Sequence, residues 1–161
     1  LGLPNAGKSS LLSVLTNARP EVAAYPFTTK IPNLGVMRLP QRDVVLADIP
    51  GIIEGASDGA GLGDRFLRHI SRTAGLAFLV DPTESDPCRL IQMLEHELAE
   101  YDPRLLRRAR LLVGTKLDLD GTEDQLEQLS QCYPEDRVVG VSAYSRRGLE
   151  ELQREFLHLC S

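Results

Sequence analysis

Gly2-Leu3-Pro4-Asn5-Ala6-Gly7-Lys8-Ser9, running straight into Ser10-Leu11-Leu12-Ser13-Val14-Leu15, is the stretch that decides the fold. Gly2 and Gly7 bracket a short loop whose backbone amides can curl around phosphate oxygens, and the apolar run behind supplies the helix whose N-terminus faces the anion. In this Walker A pattern Lys8 reaches the terminal phosphates and Ser9 a Mg²⁺ ion. An ordinary glycine turn would not need the Lys-Ser pair or the helix that follows. The strand that normally feeds such a loop would precede Leu1, so the chain reads as a fragment of a longer polypeptide whose first strand is missing.

Outward from this loop, short runs rich in Val, Leu and Ile recur at Val44–Ile49, Leu76–Val80, Leu111–Val113 and Arg137–Val141, each leading into a polar or glycine-containing loop. Between the later runs, Leu90, Ile91, Leu94, Leu98 and Tyr101 share one helical face, and Leu149, Leu152, Phe156 and Leu159 share another. Asp86-Pro87 marks a helix start, a capping carboxylate before a proline at the first helical position. The alternation predicts an α/β fold: a doubly wound, mostly parallel sheet, with ligand loops at the carboxyl ends of its strands. Asn33–Leu39 and Val44–Ile49 are too close for a crossover and are expected to pair as an antiparallel hairpin. Residues 51–63, rich in glycine, read as a functional loop.

Composition narrows the function classes. The 161 residues are 42% hydrophobic and 25% charged, the balance of one globular domain, and the net charge of -5 disfavours a globally basic nucleic-acid binder. No DNA partner is expected. Acidic residues concentrate in the second half, so an anionic ligand should prefer the first. The apolar runs stop at Asp48 and Asp81, far short of the roughly 20 residues of a membrane helix. No leader peptide is expected, because the sequence opens in a polar, glycine-containing loop rather than a basic and then apolar stretch. Cys88, Cys132 and Cys160 are odd in number and widely spaced, which predicts neither a disulfide framework nor a zinc knuckle and fits a reducing, cytoplasmic setting.

Four further motifs follow in order: Tyr25-Pro26-Phe27-Thr28-Thr29, with a threonine for Mg²⁺ and the γ-phosphate; Asp48-Ile49-Pro50-Gly51 at a strand end; Thr115-Lys116-Leu117-Asp118; and Ser142-Ala143. At these residues the chain resembles a translation-factor-type P-loop GTPase of the Ras-like class. Asp118 can accept from both guanine N1–H and its exocyclic amine, and the Ala143 amide would meet guanine O6. Buried groups of this kind can reject an analogue by roughly 10⁴ to 10⁵, because an unmatched base leaves an acceptor unpaired.

The segment Ile52-Ile53-Glu54-Gly55-Ala56-Ser57-Asp58-Gly59-Ala60-Gly61-Leu62-Gly63, with the residues that continue it to Ile70 and with Tyr25 through Gly35, closely resembles the Obg family. The resemblance covers nearly the whole of residues 1–161. It implies a GTP-binding and slowly hydrolysing G domain, carried beside a glycine-rich N-terminal domain that these residues lack. It also implies association with the large ribosomal subunit or its RNA, and roles in ribosome maturation and stress signalling. By the same resemblance GTP or GDP would contact Gly2, Pro4, Asn5, Ala6, Gly7, Lys8, Ser9 and Ser10 at the phosphates, and Phe27, Thr28, Thr29, Asp48 and Gly51 in the switch segments. Thr115, Lys116, Asp118, Leu119, Ser142, Ala143 and Tyr144 would surround the base. Ser9, Thr29 and Asp48 would serve Mg²⁺. A monomer is expected. One departure stands out: the family usually carries asparagine where this chain has Thr115.

Catalysis would rest on Lys8, Thr29, Gly51 and Asn5. Ile52, where Ras-like proteins place a water-orienting glutamine, can neither donate nor accept a hydrogen bond, so unaided turnover should be slow. Ile52 either simply packs in a closed loop or gates it, and both readings predict slow unaided turnover. Pro4 leaves little room for an inserted arginine, and Asn5 either helps hold a K⁺ ion, as in GTPases this loop resembles, or stabilises its own turn. Two other functions compete: a P-loop ATPase or small-molecule kinase, opposed by Asp118 and Ser142-Ala143, and a nucleotide-gated interaction module with negligible hydrolysis, favoured by Ile52.

Arg65, Arg68, His69 and Arg72 form a basic stripe that is either a solvated helix face or a contact for ribosomal RNA. Arg104, Arg107, Arg108 and Arg110 read as a solvated lead into the next strand. His96 and His158 have no metal-binding neighbours in sequence.

Overall fold

The computed structural model describes residues 8–16, 21–22, 33–47, 73–81 and 86–160, with backbone only for Ser9, Glu21, Val22, Asn33, Leu34 and Tyr101. In chain order the elements are α1 (Lys8–Thr16), β1 (Glu21–Val22), β2 (Asn33–Arg38), β3 (Asp43–Ala47), β4 (Gly75–Val80), α2 (Pro87–Tyr101), a 3₁₀ turn (Pro103–Arg107), β5 (Ala109–Gly114), α3 (Thr122–Cys132), β6 (Arg137–Gly140) and α4 (Leu149–Leu159). The order β4-β5-β6 forms a parallel sheet, and β1-β2-β3 an antiparallel one.

Alternation of side chains along each strand sends successive residues to opposite faces, and both faces of the parallel sheet are covered. Leu76, Phe78, Val80 and Leu112 pack with Leu90, Ile91, Leu94 and Leu98 of α2 and Leu129 of α3. The intervening Leu79, Leu111, Val113 and Val139 pack with Leu11 and Leu15 of α1 and Leu152 of α4. Strands buried on both faces read as continuous apolar runs, which is why Leu76–Val80 shows no alternation of polarity. Met37 and Val44 of the hairpin join the second cluster, so the two sheets share this part of the core, and α1 packs against β2. This is the doubly wound α/β arrangement expected from the sequence.

Local signals explain the element boundaries. The Asp86 carboxylate accepts from the Arg89 amide at 3.1 Å and Pro87 occupies the first turn, so α2 starts where the capping signal places it. The β2–β3 hairpin forms with Arg38 opposite Asp43 and a loop over residues 39–42. Gly35 lets β2 approach α1, since a Cβ there would collide with the Thr16 side chain. Gly148, at φ +79, starts α4 from the left-handed region, and its missing Cβ makes room for the Gly140 carbonyl.

Two expectations are corrected. Cys88 in the first turn of α2 and Cys132 at the end of α3 form a disulfide, with Cα atoms 6.3 Å apart across a sequence separation of 44 residues. Spacing along the chain could not show a pairing made by the packing of α2 against α3, and the cysteine argument for a reducing compartment falls with it. Arg110, read as a solvated basic residue, is instead partly buried in β5. Its guanidinium pairs with Asp136 at 2.8 Å and Glu95 at 3.3 Å and lies 5.8 Å from the Phe78 ring and 5.2 Å from the Tyr133 ring. The Asp136 hydrogen bond holds the Arg110 pKa above its ordinary value despite burial. Burial, then a hydrogen bond to Glu95, pushes the Tyr133 hydroxyl up to about 12. Arg104 and Arg108 are also engaged, with Asp102 and the Thr73 carbonyl respectively.

Candidate functional site

The carboxyl ends of β4, β5 and β6 lead into Asp81, residues 115–119 and residues 141–144. That is where a doubly wound sheet places its ligand loops. The latter two loops and one face of α1 enclose a cavity of about 370 Å³, a volume suited to a small organic ligand. Ser10, Leu11 and Val14 of α1 form one wall, and Thr115, Lys116 and Asp118 another. Leu119 and Tyr144, which are 46% and 91% exposed, line it further. Such side chains offer an apolar surface to a flat ring without needing burial themselves.

The loops are fixed by their backbones. The Thr115 amide donates to the Val80 carbonyl at 2.9 Å, and the Leu117 amide to the Val141 carbonyl at 2.9 Å, tying the loop after β5 to its neighbours on both sides. Lys116 takes a left-handed conformation, φ 56, uncommon for a residue with a side chain. Its carbonyl accepts from the Leu119 amide, and the Thr122 hydroxyl at the start of α3 lies within hydrogen-bond reach of the Lys116 and Leu119 carbonyls, at 3.1 and 2.9 Å.

Asp118 is presented by a relay. The Ser145 amide donates to the Ser142 hydroxyl oxygen at 3.0 Å, and that hydroxyl donates to Asp118 Oδ1 at 2.7 Å. Ser142 is fully buried, so it reaches the cavity through Asp118. A carboxylate has about four acceptor sites, and a single bond from Ser142 leaves capacity for a donor edge with two N–H groups. The Ala143 residue lines the cavity beside it.

Of the residues singled out in the sequence, the structure brings Ser10, Thr115, Lys116, Asp118, Leu119, Ala143 and Tyr144 to one cavity. Lys8 opens α1, the helix that forms the facing wall. The Thr115 hydroxyl donates to the Val80 carbonyl at 3.2 Å, so it braces the strand end. Gly2, Pro4, Asn5, Ala6, Gly7, Phe27, Thr28, Thr29, Asp48, Gly51, Ile52 and the basic stripe at residues 65–72 lie outside the described residues, as does the Ser9 side chain. The assignments to Mg²⁺ and K⁺ fall among these. His96 and His158 pair with Glu100 and Glu155 on their own helices. Among the described residues, no helix is long and apolar enough to cross a membrane.

Sequence reasoning missed Asp81 and Gln125. The Lys116 ammonium forms an ion pair with the buried Asp81 carboxylate, and Gln125 Nε2 donates to the Asp81 carbonyl at 2.7 Å. An aspartate ending an apolar run was the available signal for the first. Gln125 sits on a helix whose buried residues, Thr122, Gln125 and Leu129, are mostly polar, so counting apolar residues does not find it.

Residues 1–116 match the family described as 50S ribosome-binding GTPase. The chain is similar to GTPase Obg of Treponema denticola, 52% identical over 160 residues, covering 99% of this chain and 42% of that protein. It is 51% identical over 159 residues to GTPase Obg of Borrelia recurrentis, covering 99% and 49%. Among solved structures, the G domain of the T. maritima FeoB iron transporter superposes with a TM-score of 0.74 at 22% identity, covering 99% of this chain and 95% of that one. The cytosolic domain of L. pneumophila FeoB gives 0.71 at 19%, covering 97% and 60%. These two share the fold of a Ras-like G domain. The chain spans about half the length of the curated relatives it matches. With the family match over residues 1–116 and half-identical relatives along nearly all its length, the chain belongs to the 50S ribosome-binding GTPases, as a G domain of the Obg type.

Proposed function

We propose that the cavity at the carboxyl ends of the strands holds the guanine of GTP or GDP, and that the chain hydrolyses GTP slowly as a conformational switch. The observation that carries this reading is Asp118, held by the Ser142 hydroxyl at the wall of a cavity bounded by α1. A fixed carboxylate facing a purine site selects a base with adjacent N1–H and amino donors, a pattern guanine has and adenine lacks. The phosphates would then extend toward Lys8 and the loop preceding it. Mg²⁺, assigned to Ser9, Thr29 and Asp48, supplies charge neutralisation at the phosphates when bound.

Phosphoryl transfer to water depends on positioning and on charge stabilisation. With Ile52 in place of a water-orienting glutamine, single-turnover hydrolysis should run no faster than about 10⁻⁴ to 10⁻³ s⁻¹. Asn5 as a K⁺ holder would raise that rate when K⁺ replaces Na⁺ at constant ionic strength, and Asn5→Ala would erase the difference. Equal rates in the two salts would return Asn5 to its turn. No detectable hydrolysis in either salt, with GTP still bound, would favour a purely nucleotide-gated interaction module. The family's association with the large ribosomal subunit supports that subunit or its RNA as partner, with the stripe Arg65, Arg68, His69 and Arg72 as its contact and the cytoplasm as its setting. GTP-dependent co-sedimentation with that subunit tests the partner.

A further inference from the structure

Asp81 follows directly on β4, and its side chain is only 4% exposed. A carboxylate so placed is costly unless it is paired and hydrogen-bonded. Its ion-pair partner is Lys116, which comes from the loop after β5 and lines the cavity. The Asp81 backbone is fixed in turn by Gln125 of α3, itself 4% exposed, through its carbonyl. A free lysine side chain has large rotamer freedom. Here its ammonium is anchored at the end of β4 while its backbone is held in the left-handed region beside the Thr122 hydroxyl. With both ends fixed, the methylene stem becomes part of the cavity wall.

We propose that Asp81 is a positioning residue for the base subsite: it holds Lys116 extended, so that the Lys116 stem forms a preorganised wall against the purine. This rests on the reading of the cavity as a guanine site. An immobilised side chain spares the binding step an ordering cost worth about 3- to 10-fold in affinity. Because the wall faces the base, GDP and GTP gain equally from it.

The test is a double-mutant cycle on the chain, with affinities for GDP and GTP measured by displacement of a fluorescent GDP. Asp81→Asn should weaken both nucleotides by the same factor, about 3- to 10-fold. Lys116→Met should weaken them too, and adding Asp81→Asn to Lys116→Met should change nothing further. A merely structural aspartate would weaken binding in both backgrounds alike, and that result overturns the proposal. So does an Asp81→Asn variant with unchanged affinity. Where Asp81→Asn is too unstable to assay, Asp81→Glu keeps a carboxylate but shifts the anchor by a methylene, and the same dependence on Lys116 is required of it. Asp118→Asn separates the two levels. If it abolishes guanine preference while Asp81 is silent, only the positioning role fails; if it too leaves GDP binding intact, the guanine reading fails.

Discussion

The two ends of the parallel sheet use charged residues in opposite ways. At the amino ends of β5 and β6, Arg110 is closed off by Asp136 and Glu95 between two aromatic rings, and Arg137 is met by Glu151 at 2.8 Å and Glu155 at 3.2 Å. At the carboxyl ends, Asp81 holds Lys116 and Ser142 holds Asp118, and in both pairs one member lines the cavity. The amino-end groups pair with one another to fasten helices to strands. The carboxyl-end groups pair so as to aim a side chain. A charge network therefore marks a functional site when its partners leave a directed group beside a cavity, and a structural clamp when they do not.

The contrast predicts that damage to the framework lowers stability and spares nucleotide affinity. The largest such effect should come from the crosslink between α2 and α3. Reducing the Cys88–Cys132 bond, which closes a separation of 44 residues, should cost about 2–4 kcal/mol in denaturant unfolding. Cys88→Ser should make stability indifferent to reductant, and an unchanged midpoint on reduction of the wild type would show that the bond carries no stabilisation.

Next in size is Arg110→Met, which keeps the stem but leaves Asp136 and Glu95 without their cation. The pair is partly exposed, so the loss should be about 1–3 kcal/mol, below that of a fully buried bridge. GDP affinity should stay within about twofold. A large loss of affinity would break the distinction between the two ends.

The smallest effect concerns Tyr133. Its hydroxyl is raised from 10.0 to about 12 by burial and by Glu95, so the folded state keeps its proton where the unfolded chain releases it. The resulting stability is fully present below pH 10 and is lost as pH rises toward 12. Absorbance titration at alkaline pH should show one tyrosine ionising late, and Tyr133→Phe should remove that step.

How far the sequence foretold this molecule differs by region. Apolar runs and helical spacing marked β4, β5, β6, α2 and α4, because each buries its pattern against the sheet. The hairpin was legible from the short gap between Leu39 and Val44, and the strands pair with Arg38 opposite Asp43. α3 was not, since Thr122 and Gln125 are buried to hold the Lys116 and Asp81 carbonyls rather than to fill a core. Asp118, Ala143 and Lys116 were found through their motifs. The disulfide, the Arg110 clamp and the Asp81–Lys116 pair escaped because each joins residues that are distant in sequence and adjacent only after folding.

The most direct measurement is the base preference of Asp118→Asn. In the wild type GDP should bind far more tightly than XDP, because the carboxylate held by Ser142 matches two N–H donors. In Asp118→Asn the order should reverse, since the amide can donate to the 2-oxo group of xanthine. GDP and XDP affinities indistinguishable from wild type would remove Asp118 from the base and contradict the assignment of this cavity.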